Sequence, residues 1–181
     1  MSLDPSGISL REIHSSEEVR LRIDALADRI LRDYAGQSPT LVVIAEGART
    51  FAGELVERLS AQGLQPEIVF LRVSRTRGTS LVQVQIEPMD PSRFEKSDVL
   101  VVDDIADEGR TLEAVIELVQ RGRSRSLRVA VLVSKQGRRK VTVSIDYIGF
   151  ELKDGWVVGL GMDLNGRFRG LDYLALAEGP V

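Results

Sequence analysis

Asp98-Val-Leu-Val-Val-Asp-Asp-Ile-Ala-Asp-Glu-Gly-Arg-Thr-Leu112 reads as a strand, an acidic turn and a helix start, in that order. Four consecutive apolar residues, 99–102, between Asp98 and Asp103 predict a short strand buried on both faces. Residues 105–110 predict a turn that carries a third acid, Asp107, and a glycine, Gly109. Residues 111–119 then have helical periodicity. A buried strand that feeds a glycine turn and a helix start exposes N–H groups without intrahelical partners, and the helix dipole adds positive potential there, making an anion cup. Gly109 permits close approach or positive φ, and Thr111 can add a hydroxyl donor. Asp103 and Asp104, at the carboxyl end of the strand, are placed to accept hydrogen bonds from neighbouring hydroxyls. A phosphate beside a diol describes a ribose phosphate. The plainer alternative is a generic βα turn with incidental acids, but two acids, a spaced third acid, glycine and threonine seldom coincide.

The flanking chain repeats the alternation. Ser15-Ser-Glu-Glu18 is a capping box, followed by Val19, Ile23, Leu26, Ala27 and Ile30 at helical spacing as far as Gly36. Residues 40–45 predict a buried strand, Glu46-Gly47 a turn, and Phe51, Leu55 and Leu59 the stripe of a second helix. Residues 66–73 predict another strand. The polar segment 74–80 leads to Leu81, Val82, Val84 and Ile86, a hairpin strand with partial alternation, and residues 88–97 link to the central strand. After a helix ending near Gly122, residues 127–133 predict one more buried strand. Strands alternating with helices imply an α/β fold with a doubly wound parallel sheet, whose ligands lie at the carboxyl ends of the strands. The turns at 45–47, 103–111 and 134–135 would converge on that edge. Residues 146–150 and 156–160 are short β runs with no helix between them, and they read as a small hood over the sheet edge. The expected organisation is a single domain over residues 1–181. Its core occupies about residues 15–135, and its hood about 140–181 together with the N-terminal segment.

Composition excludes several classes of function. The chain has 181 residues and a formal net charge of -3, so bulk charge offers nothing to nucleic acid. Cysteine is absent, which rules out disulfides, thiolate metal sites and cysteine nucleophiles. The lone histidine, His14, precedes the first helix and is expected at the surface, so a Ser-His-Asp triad is not expected. The N-terminus lacks a basic segment followed by an apolar one, and no apolar run reaches membrane-spanning length. A cytoplasmic protein without a membrane partner is the expectation.

Residues 99–112 resemble the phosphoribosyl-pyrophosphate motif of type I phosphoribosyltransferases. Ser144-Ile-Asp-Tyr-Ile-Gly-Phe-Glu-Leu-Lys-Asp-Gly-Trp-Val-Val-Gly-Leu-Gly-Met-Asp163, with Phe168-Arg169, is similar to the purine-binding hood of the hypoxanthine-guanine branch. The likeness runs from about Ile8 to Leu174. It implies a purine-salvage enzyme that converts hypoxanthine or guanine plus phosphoribosyl pyrophosphate to IMP or GMP plus pyrophosphate. By the same resemblance, Asp103 and Asp104 hold the ribose hydroxyls, directly or through Mg²⁺, and Asp107, Glu108, Gly109, Arg110 and Thr111 cradle the 5′-phosphate. Asp107 is the implied catalytic proton acceptor at purine N7. Lys135 would donate to the 6-oxo group, Trp156 would stack on the base, and Val157 would present its backbone to the purine edge. Glu46, Gly47 and Arg169 fall at the pyrophosphate, and Asp163, with Asp103 and Asp104, at the metal. A homodimer or homotetramer is implied as well, and nucleic acid is not expected as a partner.

Taken singly, these residues have plainer roles: Lys135 as a solvated strand end, Trp156 as core or interface, Asp163 and Arg169 as a surface pair. Arg121, Arg123, Arg125 and Arg128, with Arg138, Arg139 and Lys140, read as a solvated rim or an oligomer contact, with attraction of RNA or polyanions as a further alternative. The chain also departs from the family pattern in three places. Glu108 stands where threonine or serine is usual, inside the anion cup, and lowers phosphate affinity unless it turns outward or pairs with Arg110. Glu46 replaces the usual lysine of the pyrophosphate loop. Ser74-Arg75 replaces a Ser-Tyr pair in a segment that is a closing loop in the resembled family, with Arg75 and Arg77 available to meet pyrophosphate. These acids leave a second reading open, a catalytically weakened nucleotide-sensing or regulatory protein on the same fold.

Overall fold

The computed structural model describes residues 7–77 and 82–179, with side chains described except at 75–77 and 82–83. The chain runs through β1 (Ser9–His14), α1 (Ser16–Tyr34), β2 (Thr40–Ala45), α2 (Arg49–Ala61), β3 (Glu67–Arg77), β4 (Val82–Ile86), β5 (Asp98–Ala106), α3 (Arg110–Arg121), β6 (Ser126–Lys135), β7 (Tyr147–Leu152), β8 (Trp156–Val158) and β9 (Leu174–Glu178). Short 3-10 turns lie at Pro91–Phe94 and Gln136–Arg138. Among the described residues, one sheet has the order β4-β3-β2-β5-β6-β7, with only the edge strand β4 antiparallel to its neighbour. A second, antiparallel sheet has the order β1-β9-β8.

The apolar runs are unbroken because both faces of the large sheet are covered. Leu41, Val43, Leu100 and Val102 pack with the apolar stripes of α1 and α2, while Val42, Ile44, Val99 and Val101 pack with α3. The capping box starts α1 as its sequence predicts: Glu18 N–H donates to Ser15 Oγ at 3.2 Å, and Ser15 N–H to Glu18 Oε2 at 2.8 Å. From β2 the chain crosses to β3 on one side and later returns to β5 on the other. That reversal opens a crevice at the carboxyl ends of β2 and β5, where doubly wound sheets bind ligands.

The fold differs from the sequence expectation in three ways. β5 continues through Asp103 to Ala106, because Asp103, Ile105 and Ala106 keep pairing with Val131, Val133 and Ser134 of β6, and only residues 107–109 turn. The run at 146–150 does not belong to the hood. It is β7, parallel to β6 in the large sheet, where Tyr147 and Phe150 are buried. β8 alone of the two runs joins the small sheet, beside β9 and through it β1. His14 is not a free surface residue: its ring stacks on Phe150 with centroids 4.0 Å apart, and burial lowers its pKa, an effect that Glu18 opposes and Arg22 reinforces. Of the polar segment 74–80 and Leu81, residues 78–81 lie outside the described residues. The backbone on either side pairs as a hairpin, with Arg77 opposite Val82.

The amino-terminal edge of the sheet is tied by a buried acid. Asp98, 8% exposed, accepts hydrogen bonds from the Arg125 guanidinium and from Ser126 Oγ at 2.7 Å. Those bonds hold its carboxyl at about 2, below the ordinary carboxylate range. A folded value beneath the unfolded one gives stability that is present at neutral pH and lost as pH falls through about 4 and below. Asp98→Asn is expected to cost about 1–2 kcal/mol at neutral pH, discounted for the water-exposed Arg125. That cost should shrink steadily as pH falls from 4 towards 2. Urea unfolding of both proteins across that range measures the difference, and a gap independent of pH would contradict the assignment.

Candidate active site

Three segments meet at the crevice with no room for a methyl group between them. A Cβ on Gly47 would lie 1.9 Å from Asp104 Oδ2, and one on Gly161 would lie 2.0 Å from the Gly47 carbonyl oxygen. Only glycine fits at either position without displacement. The contact brings the loop after β2 onto the acids of β5 and the hood segment after β8 onto that loop. Asp104 Oδ1 accepts the Ile105 N–H at 2.8 Å, and Asp103 Oδ1 accepts the Asp104 N–H at 3.0 Å. Asp103 is 5% exposed. The Ala45–Glu46 peptide is cis. Around these groups lies an open cavity of about 640 Å³, lined by residues 44–47, 72–74 and 85–88 with Asp103, Asp104, Thr111, Asp163 and Arg169.

Beside it, α3 begins. Gly109 caps the helix with φ 89°, a left-handed value that favours glycine. The first turn of a helix carries N–H groups with no intrahelical partner. Here it borders a hollow of about 30 Å³ lined by Asp103 and residues 105–112. The Glu108 carbonyl accepts the Lys140 and Val141 N–H groups at 3.0 and 3.3 Å, which fastens the turn to the segment after β6. The Glu108 carboxylate lies 3.6 Å from Arg110 Nε.

A second cleft, of about 150 Å³, is lined by Asp104, Ile105, Asp107, Lys135, Trp156, Val157, Met162 and Asp163. Lys135 is 5% exposed, and its Nζ lies 3.4 Å from Asp107 Oδ2. Arg138 Nε lies 2.8 Å from Asp107 Oδ1 but out of hydrogen-bond alignment, so that buried oxygen has a charge partner and no hydrogen bond. Trp156 is 44% exposed, and its indole N–H donates to the Asp163 carbonyl at 2.7 Å. The Asp163 carboxylate accepts from the Gly166 N–H at 2.6 Å and pairs with Arg169 Nη2 at 2.7 Å, while Arg169 Nη1 donates to the Gly161 carbonyl at 2.6 Å.

The fold thus gathers the residues singled out from sequence into three adjoining spaces. Glu46, Gly47, Asp163 and Arg169 share the large cavity with Asp103 and Asp104. Asp107 to Thr111 line the hollow, and Lys135, Trp156 and Val157 share the small cleft with Asp107. Neither unusual acid is left bare. Glu108 faces Arg110, and Glu46 lies 3.3 Å from Arg49 Nε and 3.8 Å from Arg72 Nε. Gly161 and Arg72 went unnoticed in the sequence, because each matters through a contact with a distant segment. Arg138 and Arg139, expected in a solvated rim or an oligomer contact, also face the site: Arg138 is exposed yet contacts Asp107, and Arg139 is part-buried with Nη2 donating to Ser134 Oγ at 2.9 Å. Among the described residues no three Asp, Glu or His side chains converge as a closed metal cage. Asp163, Asp103 and Asp104 on one cavity do suit Mg²⁺ as it binds beside phosphates, through one or two carboxylates with substrate and water completing the shell.

An amide hollow, paired acids at a sheet's switch point and a half-roofed cleft beside them make up a phosphoribosyltransferase arrangement. Residues 9–165 match the family model of the phosphoribosyl transferase domain. Hypoxanthine-guanine phosphoribosyltransferase of Streptococcus mutans is 30% identical over 171 residues, 93% of each chain. The Staphylococcus aureus protein of that name is 32% identical over 175 residues, 95% of this chain and 96% of its own. Of solved structures, a hypoxanthine-guanine phosphoribosyltransferase from Bacillus anthracis superposes with a TM-score of 0.83 at 27% identity, covering 95% of this chain and 99% of the other. The Trypanosoma cruzi hypoxanthine phosphoribosyltransferase in complex with the product IMP gives 0.83 at 28% identity, covering 91% and 92%. The chain belongs to the hypoxanthine-guanine phosphoribosyltransferase family.

The glycine contacts make a specific demand. Gly47→Ala collides with the end of a side chain, so it should leave the melting temperature nearly unchanged while displacing the Asp104 carboxylate. Gly161→Ala collides with backbone at φ 97° and should cost about 1–3 kcal/mol of stability. Thermal denaturation of the two variants compares them directly, and equal melting points would contradict the packing described.

Proposed function

We propose that the chain transfers the phosphoribosyl group of phosphoribosyl pyrophosphate to a 6-oxopurine, making IMP from hypoxanthine and GMP from guanine with release of pyrophosphate. The observation that carries this is the convergence of Asp107, Lys135 and Trp156 on one cleft that shares Asp107 with the hollow at the start of α3. Trp156 stacks on the purine, and Lys135 donates to its 6-oxo group. An adenine would turn an exocyclic amine toward that ammonium donor, so adenine is rejected. The hollow at 107–111 takes the 5′-phosphate, and Asp103 and Asp104 take the ribose hydroxyls.

During transfer the bond from C1′ to the pyrophosphate oxygen breaks, the bond from N9 to C1′ forms, and the proton on N7 passes to Asp107. Positive charge grows on the ribose as negative charge grows on the leaving group. Asp103 and Asp104 would meet the first charge, and Arg169 and Arg72, which line the same cavity, would meet the second. Mg²⁺, which Asp163 or the Asp103–Asp104 pair would hold with substrate oxygens and water completing its shell, would neutralise charge on the pyrophosphate. A cytoplasmic homodimer or homotetramer, as the family likeness implies, forms part of the same proposal.

The unusual acids favour the enzyme over a silent nucleotide sensor, because each has an arginine within 4 Å. A thermal-shift panel tests the ligand class, since a ligand stabilises the state that binds it. GMP and IMP should raise the melting temperature well above AMP at equal concentration, and equal shifts for all would count against a 6-oxopurine site. Asp107→Asn should lower kcat by roughly a hundredfold with a smaller change in KM; equal losses in both would remove its proton-transfer role. Glu108→Gln should change GMP affinity by less than about threefold, whereas Arg110→Gln, which strands the acid beside the phosphate, should weaken it by about tenfold or more. Isothermal titration separates these outcomes.

A further inference from the structure

Arg138 has no part in the mechanism above, and it does not line the purine cleft. It follows Lys135 on the 3-10 turn Gln136–Arg138 and lies between two carboxylates that are far apart in sequence. Its Nε is 2.8 Å from Asp107 Oδ1, and its Nη1 is 3.3 Å from Asp154 Oδ1. Asp154 belongs to the turn between β7 and β8, two residues before Trp156, and its Oδ1 also accepts the Gly155 N–H at 2.8 Å. One guanidinium therefore spans the distance from the proposed proton acceptor to the turn that carries the proposed stacking ring. Asp107, and then Asp154, raise the Arg138 pKa, and the Gly155 N–H, followed by Arg138, lowers that of Asp154.

The details favour orientation over stability. Arg138 and Asp154 are 46% and 66% exposed at the side chain, so as an ion pair they add little. The contact with Asp107 is different. A buried carboxylate oxygen needs compensation for its lost solvation. Arg138 supplies that compensation as a charge 2.8 Å away, outside hydrogen-bond alignment. Lys135 approaches the other oxygen, Oδ2. If Lys135 turns to a 6-oxo group, Arg138 is the described cation still in direct contact with Asp107, with Arg139 acting on it from further off. A flat, forked guanidinium can hold two carboxylates at set angles, which a lysine at the same place does less well.

We infer that Arg138 is a positioning residue that couples the Asp107 carboxylate to the 153–155 turn, so that a purine seated under Trp156 meets a proton acceptor already in orientation. The catalytic part of this inference rests on the proposed function. The coupling itself does not, because Trp156 is the single tryptophan of the chain and reports on its own turn.

The test uses the full chain, with Arg138→Gln, Arg138→Lys, Asp154→Asn and the Arg138→Gln/Asp154→Asn pair. Three results are expected. Arg138→Gln should lower kcat by about tenfold while KM for phosphoribosyl pyrophosphate stays within about twofold. Arg138→Lys should recover part of that loss. Asp154→Asn should matter less in the Arg138→Gln background than alone, both in kcat and in the Trp156 emission change on GMP titration, as coupled contacts require. Additive effects in the two readouts, or kcat and KM losses of equal size in Arg138→Gln, would overturn the inference. A wild-type chain that forms no nucleotide would sink the proposed function alone, because the same cycle read in the Trp156 emission of the unliganded chain still decides the coupling.

Discussion

The site depends on one close approach. Asp104, Gly47 and Gly161 lie in line, each separated from the next by less than the room a methyl group needs. The first belongs to the central strand, the second to the loop after β2, the third to the hood. Without that contact the acids of β5 would face an open sheet edge, and the hood would have no fixed height above them. With it, the Arg169 guanidinium reaches the Gly161 carbonyl and the Asp163 carboxylate together, and Asp163 in turn receives the indole N–H of Trp156 through its carbonyl. Backbone proximity at two glycines is thereby relayed into the position of an aromatic ring.

Charge is distributed along β5 in the same spirit. Its first residue, Asp98, is buried at the amino-terminal edge, neutralised by Arg125 and hydrogen-bonded by Ser126, a structural use of a carboxylate. Asp103 and Asp104, at the other end, border the large cavity instead. The same strand thus carries acids with opposite purposes, and the direction of a parallel sheet separates them: ligands gather where the strands end.

The features legible in the sequence were those encoded locally. The acids at 103, 104 and 107, Gly109 and Thr111 fall within one βα turn, and Trp156, Val157 and Asp163 within one short segment, so spacing alone held their relations. The misassigned elements depend on distant partners. Residues 147–152 enter the large sheet as a parallel edge strand without a crossover helix, and a short apolar run carries no mark of which sheet it will join. Arg138 sits in a run with Arg139 and Lys140 that looks like any solvated face, and only the turn at 107–109 reveals its task. Glu46 looked like a reversed charge until the β2–β3 register set Arg72 opposite Ala45. Gly161 looked like one glycine among several until the Gly47 carbonyl was found against it.

Base chemistry is where this account is most exposed. The cleft pairs an ammonium donor with a carboxylate under a half-covered indole, which suits a ring bearing an oxo group and a removable proton. Chromatography of a reaction containing the purified chain, Mg²⁺, phosphoribosyl pyrophosphate and a free purine addresses it most directly. The account predicts IMP from hypoxanthine and GMP from guanine, each matched mole for mole by pyrophosphate, with no AMP from adenine. Nucleotide formed from adenine at a comparable rate, or none formed from either oxopurine, would contradict it.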